Sequence, residues 1–242
     1  MDKFFRLLPV LALLALGVGW LFPMAALGTR FGWWHFGVGF ELLGGAVITD
    51  ALLLVLAGVA LILAIATQNP KAKHRATLVV LMALTPLGFV LFYSLQGAEL
   101  PMIHDISTDQ AHPPRLVALL AQRPADANPL AYTPDVAAAQ AKAYPAIKPL
   151  TLKLTPVEAL QRAISVAREL GWDVVASDPA KGRLEATDTT FWFGFVDDIV
   201  VRITPEADGS KVDIRSVSRV GRGDLGKNAH RIQLFLQRMQ AS

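Results

Sequence analysis

Three apolar runs crowd the first hundred residues: Leu7 to Phe22, about Phe40 to Ala66, and about Thr77 to Leu95. A helix rises about 1.5 Å per residue, so roughly 20 residues cross a hydrocarbon core of about 30 Å. The first run reaches that length only with Phe4 and Phe5 included, which sets the expected spans at about 4–22, 40–66 and 77–95. Buried core helices of a soluble protein would look similar singly, but three in so short a stretch argue for a membrane. Residues 1–27 also carry the basic start and apolar centre of a signal peptide. Ala25-Ala26-Leu27 is a poor small-x-small cleavage site, however, so the first helix is expected to remain uncleaved.

Orientation follows from basic residues in short loops, which favour the cytoplasm. Lys3 and Arg6 flank the first run, and Lys71, Lys73 and Arg75 lie between the second and third with no acid among them. The opposite loop, Pro23 to about Gly39, holds only Arg30. The expectation is a multi-pass protein of the inner (cytoplasmic) membrane. Its amino terminus is cytoplasmic, and everything after Leu95 is periplasmic or otherwise extracytoplasmic.

Two features of this half stand out. The loop from Arg30 to Glu41 interleaves Trp33, Trp34, His35 and Phe36 with glycine, a composition suited to the headgroup layer or to a lipid or partner surface. Asp50 lies about 15 Å along the second helix if that helix starts near Phe40, where a carboxylate is expensive. A start near Val47 would make it interfacial. Pro86 is expected to kink the third helix.

From Glu99 to Pro149 proline and alanine rise, and the stretch reads as an arm wrapping the domain that follows. Short helices are expected at Arg115 to Gln122 and at Pro134 to Ala143, the second capped by Thr133. A formal net charge of +3 is too small for a nucleic-acid surface. The absence of cysteine excludes disulfides, thiolate metal sites and a cysteine nucleophile. No phosphate-cradling or dinucleotide glycine motif is present, and no cofactor is expected.

Residues 150–242 alternate between strand and helix signals. A strand is expected at Leu150 to Leu154, followed by the capping box Thr155-Pro156-Val157-Glu158. The helix it opens carries Val157, Leu160, Ile164, Ala167 and Leu170 as an apolar stripe and closes at Gly171. Strands are expected at Trp172 to Ala176, Arg183 to Thr189, Ile199 to Ile203 and Lys211 to Ser218, with turns at Asp178-Pro179, Lys181-Gly182 and Asp208-Gly209. A last helix from about Asp224 to Met239 points Leu225, Ile232, Phe235, Leu236 and Met239 inward. The fold class is α+β: three transmembrane helices, then a small antiparallel-sheet domain with two helices packed on one face.

The ordered blocks resemble one family. They are Ile103-His104-Asp105-Ile106-Ser107-Thr108-Asp109 with Pro113-Pro114; Arg183 to Thr187 with Phe193 to Arg202; and Asp213 to Gly221 with Asp224 to Ala229. Together they are similar to the bacterial "domain of unknown function 1499" family, often found behind a few membrane spans. The resemblance covers roughly Pro101 to Met239 and implies the fold arrangement, but little chemistry.

Period-two alternation places Asp198 and Arg202 on one face of their strand, and groups Glu185, Asp213 and Arg215 on the matching faces of theirs. Such a face supplies either cross-strand ion pairs or a pocket for an anionic or polar ligand, covered by the His104-Asp105 arm. Candidate binding residues are therefore His104, Asp105, Asp109, Glu185, Asp197, Asp198, Arg202, Asp213, Arg215 and Arg219. From Lys211 to Arg238 seven basic residues face only Asp213 and Asp224, a patch able to meet lipid phosphates. Asp224, as a helix cap, would fill the anion position there itself. Ser216 and Ser218 lack a nucleophile elbow, and no metal-ligand spacing is present. The reading that results is a membrane-tethered binding or assembly module of the cell envelope, contacting membrane lipid, a membrane-protein partner or a second copy. The alternative is an envelope hydrolase using His104 with the Asp105, Asp197 and Asp198 carboxylates.

Overall fold

The structure is a computed structural model that describes residues 2–241. The chain divides into two compact units: Met1–Ala98 together with Phe191–Gly194, and Glu99–Thr190 together with Phe195–Ser242.

The first unit is helical. After the short turn α1 (Asp2–Phe5), three long helices follow: α2 (Leu8–Arg30), α3 (Phe36–Ala66) and α4 (Pro70–Ala98). All three are long and apolar enough to cross a membrane. Each outruns its apolar core. Helix α2 continues through Pro23 to Arg30, so Ala25 and Ala26 are helical and buried. Helix α3 begins at Phe36 because His35 caps it, its Nδ1 accepting the Gly37 N–H at 3.2 Å. Pro70 opens α4, so Lys71, Lys73 and Arg75 occupy its first turns and only Thr67 to Asn69 connect α3 to α4. Pro86 sits inside α4, which stays helical on both sides of it.

Packing in this unit is inverted relative to a water-soluble bundle. Its buried faces are small: Ala46, Ala57, Ala60 and Ala64 on α3 and Ala72, Ala76 and Ala83 on α4. Large apolar chains such as Leu13, Ile48, Ile62 and Leu95 point outward, each more than 60% exposed. Small residues let helix backbones approach closely where lipid removes any hydrophobic drive between helices. Asp50 lies about 21 Å along α3, fully buried on the alanine face, and both its carboxyl oxygens lack a hydrogen-bond partner among the described residues. A start near Val47 is thereby ruled out. The Phe191–Gly194 tip belongs to this unit: the Phe191 carbonyl accepts from Arg30 Nη1 at 2.7 Å, and the Phe193 ring lies 5.1 Å from Phe40.

The second unit is an antiparallel sheet of six strands: β1 (Asp105–Ser107), β2 (Leu150–Leu152), β3 (Asp173–Asp178), β4 (Arg183–Thr189), β5 (Val196–Glu206) and β6 (Gly209–Ser218). The order is β1-β6-β5-β4-β3, and β2 joins the same edge of β6 beyond β1. Three helices accompany it, α5 (Pro134–Ala143), α6 (Pro156–Glu169) and α7 (Lys227–Gln240). Helices α6 and α7 cover one face. Ile199, Val201 and Ile203 of β5, with Val212 and Ile214 of β6, meet Leu160, Ala163, Ile232 and Phe235 there in one core. Gly182 (φ +56°) permits the β4 start: a Cβ there would collide with the Ile203 carbonyl oxygen.

Local rules explain most of this. Thr155 and Glu158 form the expected capping box, and Thr133 caps α5. Two apolar side chains depart from expectation. Val157 is 58% exposed because the buried stripe of α6 runs through Ala159, Leu160, Ala163, Val166 and Ala167. Leu225 is 59% exposed at a positive φ of 52° before the helix, which starts at Lys227. The expected Arg115 to Gln122 helix is only a 3-10 turn at Leu119–Gln122, following the extended Pro113-Pro114 segment.

Candidate functional site: a clamped polar face and an open cationic cleft

The sheet face opposite the helices is built from rows set by register. Arg183, Arg202 and Asp213 form one row, Glu185, Val200, Arg215 and Ser107 the next, and Thr187, Asp198, Val217 and Asp105 the third. Alternation along β4, β5 and β6 places these side chains together. The arm from Thr108 to Leu130 lies over them, with Leu116, Leu119, Val200 and Val217 forming a small second core.

Polar groups of the face are spent on the arm. Glu185, 1% exposed, accepts the backbone N–H of Val117 at 3.0 Å and of Leu119 at 2.9 Å, and Arg183 Nε lies 3.1 Å away. Arg215 donates Nε to Asp105 at 2.9 Å and Nη2 to the Leu130 carbonyl at 2.8 Å. Asp198, fully buried, takes Arg219 at 2.7 Å and also Arg123. Arg202 Nη2 bridges Asp109 and Asp213, each at 2.8 Å. Beyond the arm, the Gln140 amide pairs with the edge of β1: its Nε2 donates to the Ser107 carbonyl, and its Oε1 accepts the Ser107 N–H. Burial first, then the Asp105 charge, raises the Tyr132 phenol, which donates to Gln140 Oε1 at 2.7 Å.

Asp197 is elsewhere. As the neighbour of Asp198 it points to the helix face, where Arg231 of α7 joins it at 2.7 Å and Asp188 at 2.6 Å. Arg231 also donates to Asn228 Oδ1, which accepts from Ser216 Oγ at 2.6 Å. His104 contributes its carbonyl, which accepts from the Ser218 N–H and the Asn228 amide; its imidazole makes no hydrogen bond among the described residues. The residues proposed for hydrolysis are thus divided between two faces. Every carboxylate among them is held by a guanidinium.

The carboxy-terminal basic run is divided too. Arg215 and Arg231 are buried and Arg219 is half-buried, paired with Asp105, Asp188, Asp197 and Asp198, whereas Arg222, Lys227 and Arg238 are exposed. These pairs take Arg215, Arg219 and Arg231 out of the charge that the run presents to solvent. Asp224 does occupy the position at the α7 start, accepting the Gly226 and Asn228 N–H groups at 2.9 and 2.8 Å. Burial raises its carboxyl above the ordinary range, and those donors offset part of the rise.

One part of the face stays open. A cleft of about 470 Å3 lies between the Ala111 to Val117 stretch and the ends of β4 and β5. Its basic lining is Arg115, Lys181, Arg183 and Arg202, joined by His112 and by no carboxylate, and its apolar lining includes Pro113, Val117 and Val200. Arg115 is exposed and makes no hydrogen bond or ion pair among the described residues. Burial raises the carboxyl of Asp109, the partner of Arg202, but the His112 N–H and the Arg202 guanidinium outweigh this and hold it below the usual range. Among the candidates named from sequence, only Arg202 lines this cleft. Arg183 shares a strand face with Glu185 and was legible by alternation, whereas Arg115 and Lys181 sit in turns with no periodic signal.

The family model described as "Protein of unknown function (DUF1499)" matches residues 105–239, more than half of the chain. The chain belongs to that family. The DUF1499 match begins at β1 and ends in α7, so it takes in the clamping arm, the whole sheet and the cleft. None of the curated proteins compared with the chain matches it.

Proposed function

We propose that this chain is a membrane-tethered binding module of the cell envelope. Its sheet unit lies on the extracytoplasmic side and contacts a lipid or a membrane-protein partner, including a second copy of itself. The observation that carries the reading is the state of the carboxylates. A general base must hold a free lone pair within reach of a proton, and each candidate acid on the sheet is already ion-paired to arginine. Binding requires only an open surface, and the cationic cleft offers one.

Charge supports the orientation. Lys3, Arg6, Lys71, Lys73 and Arg75 sit at the ends of α2 and α4 that would meet the cytoplasm. A reporter fused after Ser242 is expected to be active only outside the cytoplasm. Purification of the full chain in mild detergent is expected to bring a reproducible lipid or protein with it. A solitary, lipid-free protein would overturn the reading.

A further inference from the structure

We infer that the cleft beside Arg115 binds the phosphate of a singly charged amphiphile, with the head on the guanidinium groups and the body on the apolar wall. The inference deepens the binding-module reading and rests on it. Cations and acids near the cleft nearly cancel. Lys181 and Arg183 meet Asp178, Arg183 also meets Glu185, and Arg202 and Lys211 meet Asp213, with Asp109 on Arg202 as well. The lining cation left without an ion pair among the described residues is Arg115, which matches a ligand of one net negative charge.

Two of these acids also stand behind the cations, although Asp178 is at least as open as Arg183. Asp213 and Glu185 are 0 and 1% exposed, whereas Arg183 and Arg202 side chains are 21 and 30% exposed. Arg202 uses three of its five donors on Asp109, Asp213 and the His112 carbonyl, so the others remain for a ligand oxygen. Planar guanidinium forks suit phosphate oxygens. A cleft of about 470 Å3 is in the range that holds a small ligand. Val117, half exposed, supplies with Pro113 the surface for an apolar body. Glu99, at the start of this unit, directly follows α4, so the unit is tied to a bilayer surface where phosphodiesters are the abundant anions.

The test uses the full chain in a neutral detergent, with dissociation measured by ligand-induced thermal shift. The probes are dihexanoyl-phosphatidylglycerol, dihexanoyl-phosphatidylcholine and inorganic phosphate. The phosphatidylglycerol is expected to bind, with Arg115→Ala weakening it about fivefold and the exposed Arg222→Ala leaving it unchanged. Equal binding of phosphatidylcholine removes the charge argument, and equal binding of inorganic phosphate removes the amphiphile. Equal loss in Arg115→Ala and Arg222→Ala reduces the effect to general surface charge; each of these three results overturns the inference. A protein that co-purifies with a partner or lipid insensitive to Arg115→Ala keeps the module reading and loses this site. One that co-purifies with nothing loses both.

Discussion

The two units bury acidic groups in opposite ways. In the helical unit Asp50 is enclosed by alanine faces and has no partner for either oxygen among the described residues. In the sheet unit Asp105, Asp197, Asp198, Asp213 and Glu185 are equally buried, yet each faces an arginine. The apolar chains differ in the same sense: large residues point outward from the helices and inward from the sheet. A buried carboxyl without a donor carries a desolvation penalty, and its removal relieves that penalty. A carboxylate locked to a guanidinium cannot lose its partner cheaply. The first is an isolated defect in a packed surface, the second part of a clamp that fixes the arm.

Substitutions break the comparison most strongly at the clamp. Arg215→Met leaves Asp105 buried and unpaired, and chemical unfolding of the full chain is expected to show a loss of about 3–5 kcal/mol. An unchanged midpoint would mean that the pair is solvated in solution. Asp50→Ala should act in the other direction. A central Asp costs a span about 2.5–3.5 kcal/mol, so stability of the helical unit in micelles or bilayers is expected to rise. A fall would reveal a partner that Asp50 acquires in the membrane. Thr155→Ala removes one side of the α6 capping box and is expected to cost about 1 kcal/mol.

The smallest effect is a pH response. Asp109 has a depressed carboxyl, so its contribution is present above its unfolded pKa and lost as pH falls through the lower folded value. Asp224 is raised, so protonation favours the folded state there and stability declines as pH rises past the unfolded value. Carboxyl 13C shifts followed through acid titration should place Asp109 below and Asp224 above an ordinary aspartate. The reverse order would contradict the hydrogen bonds assigned to Asp109 and the burial assigned to Asp224.

The two units were also legible in different ways. Length and apolarity identified three helices, but apolarity marks where hydrocarbon lies and not where a helix stops. Cationic Lys71 to Arg75 therefore join α4, and Phe36 to Gly39 join α3. Alternation placed Glu185, Asp198, Arg202, Asp213 and Arg215 on one sheet face, as the register shows. It could not find β1, whose three residues become a strand only through β6, more than a hundred positions away. Arg123 and Arg231 escaped for the same reason: one sits in an irregular arm, the other on a helix far in sequence from the Asp188 and Asp197 that it meets. The strands themselves run longer than their apolar cores, β5 reaching Glu206 through polar residues of the hairpin with β6.

The clamp is most directly tested by amide hydrogen exchange at Val117 and Leu119 in the full-length protein, because their N–H groups end on the buried Glu185 carboxylate. Protection comparable to that of central β5 amides is the expected result. Exchange at the rate of an open loop would show that the arm leaves the sheet, and that the polar face is free for chemistry after all.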